Sequence, residues 1–159
     1  MSLKFRGRRR GNTLVEFSLV FLLLLAFVFA AFDFTYAVFV KATLHHAVRE
    51  GVRFAIVGKL LPGFSYQDDS IKEVVKRNAL ALLNSQSNYD RIQISYYLAD
   101  GFGSTPNNAA GNIVVVSVQG YPVMPVAALF RPSTPFVLTV SAMDKVEPFP
   151  GSPPPRSGP

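Results

Sequence analysis

Cysteine is absent from the 159 residues, which excludes disulfide staples and thiolate metal sites. Charge is scarce. Charged residues make up 16% of the chain, where about 25% is usual for a soluble domain, while hydrophobic residues reach 49%. That imbalance implies that part of the apolar content faces lipid. Residues 13–57 contain no proline, and Gly51 is their only glycine, so nothing in this stretch breaks a helix. Histidine occurs twice, at His45 and His46. Adjacent positions on a helix point about 100° apart, which makes a poor metal pair and leaves a solvated or packed one. There is no nucleophile-elbow glycine pattern, no phosphate-cradling loop and no His/Asp/Glu cluster at ligand spacing. The expectation is a chain that is not an enzyme and holds no cofactor or metal.

What is present begins with a basic tail. The sequence pI of 9.8 invites a nucleic-acid reading, and the distribution of charge argues against one. Lys4, Arg6, Arg8, Arg9 and Arg10 hold five of the 16 basic residues, and beyond residue 11 the remaining 11 basic residues face 10 acidic ones. The basicity therefore reads as a topology signal, with no nucleic-acid partner.

Directly after it, Phe17 to Phe32 (FSLVFLLLLAFVFAAF) runs 16 residues without a charge. Thr13 to Phe32 gives about 30 Å of helix, the thickness of a bilayer's hydrocarbon core. Asp33 then falls near the outer boundary, as an interfacial anchor or pairing group rather than a proton relay. The positive-inside rule places the N-terminus in the cytoplasm. The seven phenylalanines from Phe17 to Phe39 read as lipid-facing or helix-packing residues.

The helical pattern continues past the membrane. Leu44, Val48, Val52 and Ile56 recur every four residues, beside a stripe of small residues at Thr43, Ala47, Gly51 and Ala55. Arg49, Glu50 and Arg53 lie largely off these stripes. They suit either an intersubunit salt bridge or a solvated face, and Gly51 suits close helix pairing. Further on, Ser70 and Glu73 fit a capping box, and the spacing predicts a short helix over 70–84. Strand-like alternation marks 91–98, 112–121 and 136–146. The four prolines of PVMPVAALFRPSTP, at 122–135, are read as excluding a central strand there. The closing PFPGSPPPRSGP reads as a disordered or polyproline II end.

The expected fold is α+β and type IV pilin-like: a long N-terminal transmembrane and spine helix, one short helix, and a small antiparallel sheet packed on the outer half of the long helix. The expected segments are a basic leader at 1–11, a transmembrane helix at 12–40, an extracytoplasmic domain at 41–147 and a proline-rich tail at 148–159.

The sharpest motif is GNTLVEF at 11–17, a glycine after a basic leader with a carboxylate five positions on. Carboxylates within a membrane span cost roughly 2.5–3.5 kcal/mol at the helix centre and are rarely accidental. The arrangement resembles the processing signal of type IV pilin-like proteins. That resemblance implies cleavage by a prepilin peptidase after Gly11, with Asn12 as the new N-terminus and Glu16 meeting the freed amine of a neighbouring subunit. RRRGNTLVEFSLV, Asp33-Phe34, AVREGVRFA at 47–55 and the late PFVLTVSAMDKVEP together resemble the TadE-like family of tight-adherence pilus assembly proteins. Membership would imply a minor pilin-like subunit, or pseudopilin, of the bacterial inner membrane. Its partners would be the lipid bilayer, a major pilin and other minor pilins, the peptidase and the inner-membrane assembly platform. Phe17 stands where major pilins of that system tend to have tyrosine, which argues against a major pilin. Two other readings compete. One is a secretory signal peptide cut after Val28-Phe29-Ala30. The other is a permanently anchored periplasmic or surface module whose sheet and loops bind a ligand.

Overall fold

The computed structural model describes residues 9–100, 103–125, 135–149 and 151–157, with side chains of the first helix described from Thr13 onward. The leader through residue 8 and the middle of the proline-rich loop at 126–134 lie outside the described residues. The elements run α1 (Arg9–Ile56), α2 (Gln67–Asn78), α3 (Gln86–Tyr89), β1 (Ile92–Tyr97), β2 (Ser104–Thr105), β3 (Ile113–Val123) and β4 (Phe136–Lys145). Two compact units are distinguished. One comprises Met1–Ala37 with Met124–Pro135, and the other Val38–Val123 with Phe136–Pro159.

The absence of breakers makes α1 a single 48-residue helix. It stops where Gly58 adopts φ +64° and its N–H bonds the carbonyl of Ala55, the left-handed glycine ending that spares a side chain its steric cost. In the second unit, α1 buries Val40, Leu44, Ala47, Val48, Val52 and Ala55. The large and the small stripe are thus both core, and Ile56 is half-buried.

The second helix is where the sequence reading needs correction. Ser70 does not cap it. The cap position is Tyr66, which makes no side-chain cap bond. Ser70 lies inside the helix, its hydroxyl donating to the Tyr66 carbonyl at 3.2 Å and accepting the Leu61 N–H at 3.2 Å. Helix start is favoured instead by Asp68 and Asp69 in the first turn, with Lys76 and Arg77 in the last. The helix ends at Asn78 rather than 84. The Asn78 side chain donates to the Val74 carbonyl at 2.9 Å, and Leu80 and Ala81 turn left-handed with φ of 47° and 67°. That turn still delivers Leu83 to the core.

The sheet has strand order β2-β1-β3-β4, every pair antiparallel. All three predicted strand runs are strands. Ile92, Tyr96, Val114, Val116, Val118 and Val140 are buried on its inner face, with Ile71 and Val75 of α2 in the same core. Phe136, at the very start of β4, is exposed. Pro122 lies within β3, opposite Val137. A β-bulge between Val118 and Tyr121, with Gly120 at φ +64°, bends the strand there. Strand β1 pairs with β3 only as far as Ile92↔Val118, so Pro122 sits where β3 has one neighbour and tolerates a missing N–H.

Pro155 accepts the backbone N–H of Gln67 at 2.8 Å and Pro154 accepts from the Asn108 side chain at 2.9 Å, so of the two expectations for the tail, a disordered or a polyproline II end, disorder does not describe residues 154 and 155.

Candidate assembly and anchoring site

A helix whose side chains are apolar on every face needs an apolar surround. Within the first unit, α1 presents such a surface: Leu14, Phe17, Leu19, Val20, Leu22, Leu23, Phe27, Phe32 and Phe34 are all exposed, Phe27 reaching 74%. This helix is long and apolar enough to cross a membrane. Its few polar groups suit that surround. Ser18 donates its hydroxyl to the Leu14 carbonyl and Thr35 to the Ala31 carbonyl, each at 2.8 Å, so neither presents an unpaired donor. Phe17 stacks on Phe21 with ring centroids 5.9 Å apart and planes at 12°.

The expected site residues fall at distinct places along α1. Gly11 and Asn12 lie in its first turn. Glu16 is exposed one turn later, and Asp33, half-buried, follows 17 residues on, about 25 Å further along the axis. One helix therefore cannot bring the two carboxylates together, and they mark opposite ends of the apolar stretch. Both take part in interactions.

The remaining expected residues are in the second unit. Arg53 pairs with Glu50 at 3.3 Å on the same helix, the ordinary i,i+3 contact of a solvated face. Arg49 is exposed, and with His46, Glu50 and Arg53 it lines an open cleft whose far wall is Ala142, Met143 and Asp144 of β4. Gly51 is buried in the domain's own core. A Cβ there would stand 2.5 Å from Cγ2 of Val75 and 3.6 Å from side-chain atoms of Ile71 and Val116. Its lack of a side chain lets α2 approach α1 inside one chain.

With this geometry in place, the N-terminal motif can be set beside known proteins. Residues 11–53 match the family model of TadE-like proteins. This match bears out the resemblance read from GNTLVEF and AVREGVRFA. The TadE-like segment takes in Glu16, the whole exposed apolar stretch, Asp33 and the Arg49–Arg53 cluster, and ends just before the helix does. Residues 54–159, including the sheet, lie beyond it. No curated protein and no solved structure matches the chain. The match lies entirely on the helix that is long and apolar enough to cross a membrane once.

Sequence reasoning missed a polar cluster that has no motif. Gln67, Asp68, Tyr96 and Asn108 come from three separate segments and meet residues 154–156 of the tail. The one hint was Arg156, a lone cation in a proline-rich run. Burial, and secondarily the negative charge of Asp68, push the Tyr96 hydroxyl well above its ordinary value against the opposing influence of Arg156, so Tyr96 stays neutral here through the physiological range.

Proposed function

We propose that this chain is a minor pilin-like subunit that takes part in assembling a bacterial tight-adherence pilus, in a structural rather than a catalytic role. The observation that carries this reading is the TadE-like match over residues 11–53, because it falls on the same stretch as the processing-like glycine, Glu16 and the exposed apolar helix. In this reading a prepilin peptidase cuts after Gly11. The basic leader is cytoplasmic, the apolar half of α1 is stored in the inner membrane, and the sheet domain stands outside the cytoplasm. The exposed phenylalanines and leucines are covered by lipid during storage and by the helices of neighbouring subunits on assembly. Partners are then the peptidase, the assembly platform, and major and other minor pilins.

Two measurements test it. Cells lacking the chain should show pilus counts near zero by electron microscopy, restored by the wild-type gene. Unchanged counts in the deletion strain would refute an assembly role. The expected orientation follows from charge and span length. A periplasm-dependent reporter fused after Glu147 should be active, and activity confined to a cytoplasm-dependent reporter at the same site would reverse the topology.

A further inference from the structure

In the second unit, residues 154–156 of the tail meet Gln67, Asp68, Tyr96 and Asn108. Arg156 is read on all sides. Its Nε lies 3.1 Å from Oδ2 and 3.3 Å from Oδ1 of Asp68, and its Nη2 lies 3.1 Å from Oδ2. Nη1 donates to the Pro106 carbonyl at 2.6 Å. The guanidinium carbon lies over the Tyr96 ring, 4.4 Å from its centre. Both charged side chains are largely out of solvent, Asp68 at 6% exposure and Arg156 at 16%. Forked donation to a carboxylate and stacking on an aromatic face are features that arginine offers and lysine does not.

The two residues before Arg156 are held by their backbone. The Pro155 carbonyl accepts the N–H of Gln67 and the Pro154 carbonyl accepts from Asn108. The receptor atoms are themselves fixed. The Gln67 amide donates to the Ala55 carbonyl at 3.0 Å, at the end of α1, and its oxygen accepts from Asn108. Proline pre-sets the extended backbone of the segment, so docking it loses little conformational freedom. The approach path is tied down as well: Glu147 N–H bonds the Ile56 carbonyl at 3.1 Å, and the Phe149 ring lies against Gly58.

We propose that Asp68, Tyr96, Asn108 and Gln67 form a binding site for a Pro-Pro-Arg segment, filled in cis by residues 154–156 and able to take the same residues from a second copy of the chain. The occupant is set by complementarity, since the site pairs a buried carboxylate and an aromatic ring with a tail carrying a single guanidinium. Exchange between copies replaces each contact by an identical one, so it loses no interaction. In a dilute protein the tethered tail wins through its high effective concentration, and close packing of copies removes that advantage. This inference stands on the geometry of residues 67–156 and is independent of the pilus reading.

The test uses the full-length chain in detergent micelles. A fluorescein-labelled peptide of residues 153–159 should bind saturably to Arg156→Ala protein by anisotropy. It should bind about tenfold or more weakly to wild type, where the tail competes, and to the Asp68→Asn/Arg156→Ala double variant. A peptide carrying lysine in place of Arg156 should lose a similar factor. Equal binding of the arginine and lysine peptides, or no binding to folded Arg156→Ala protein, would overturn the site. A second measurement leaves Arg156 and Asp68 intact and uses the lack of native cysteine. Ser157 and Lys72 border the same cleft. Chains carrying Ser157→Cys mixed with chains carrying Lys72→Cys should form a disulfide-linked heterodimer at high concentration, which added Asp68→Asn suppresses. A dimer yield unchanged by Asp68→Asn would contradict exchange.

Discussion

Glu16→Gln is expected to leave the chain inserted in the membrane and cut after Gly11, yet to bring pilus counts down to those of cells lacking the chain. Glutamine keeps the size and the hydrogen-bonding reach of the side chain, so neither helix formation nor recognition of the glycine is disturbed. What it removes is the negative charge. In the proposed assembly that charge meets the Asn12 amine of a neighbouring subunit inside an apolar bundle, and loss of one partner strands the other charge without solvent. The position supports such a meeting: Glu16 is exposed on α1 one turn past Asn12, among side chains that themselves require cover. Wild-type pilus counts in the mutant, with Asn12 exposed as the N-terminus, would show that the carboxylate is dispensable.

Gly51→Val is expected to destabilise the isolated domain by about 3 kcal/mol, the upper end of the usual cost of overpacking a core. A Cβ alone would sit 2.5 Å from Cγ2 of Val75, a fully buried and conformationally stiff side chain that has no room to withdraw. Two further methyl groups add to the clash. For a domain of this size the loss corresponds to a fall in Tm of roughly 10–20 °C. The thermal melt of the monomer in detergent separates two roles for this glycine. If Gly51 served pairing between copies, the monomer's Tm would be unchanged and only assembly would fail. Adding Val75→Ala should recover part of the lost stability, because it empties the volume into which the new side chain must go.

The stretches that were legible in the sequence share one property, a regular period of apolar residues. The apolar run of α1, the four-residue repeat from Leu44 onward and the alternation at Ile92, Val114 and Val140 all follow from periods of 3.6 and 2, and these carried the fold class. The long helix and its motif were legible for the same reason, since length, charge placement and a glycine before a carboxylate are local features. Where local chemistry and tertiary packing pull apart, the sequence misleads. Ser70 looks like a cap, but it is drawn inside α2 because its hydroxyl is needed by Leu61 and Tyr66. The small stripe at Ala47, Gly51 and Ala55 suits close helix pairing, and in the fold it is buried, with Ile71 and Val75 of α2 and Val116 of β3 against Gly51. The tail has the composition of a linker and is held by one ion pair and two backbone carbonyls whose partners lie 46 to 88 residues away. No local pattern encodes such contacts.

The central proposal, a processed pilin-like subunit, is tested most directly by the mature N-terminus. Intact-mass and N-terminal peptide spectrometry of the protein purified from cells that carry the cognate peptidase should find residues 1–11 lost and the chain beginning at Asn12. A start at Ala31 would instead mark a secretory signal peptide, and an intact leader in those cells would contradict the pilin-like reading and leave a permanent membrane anchor.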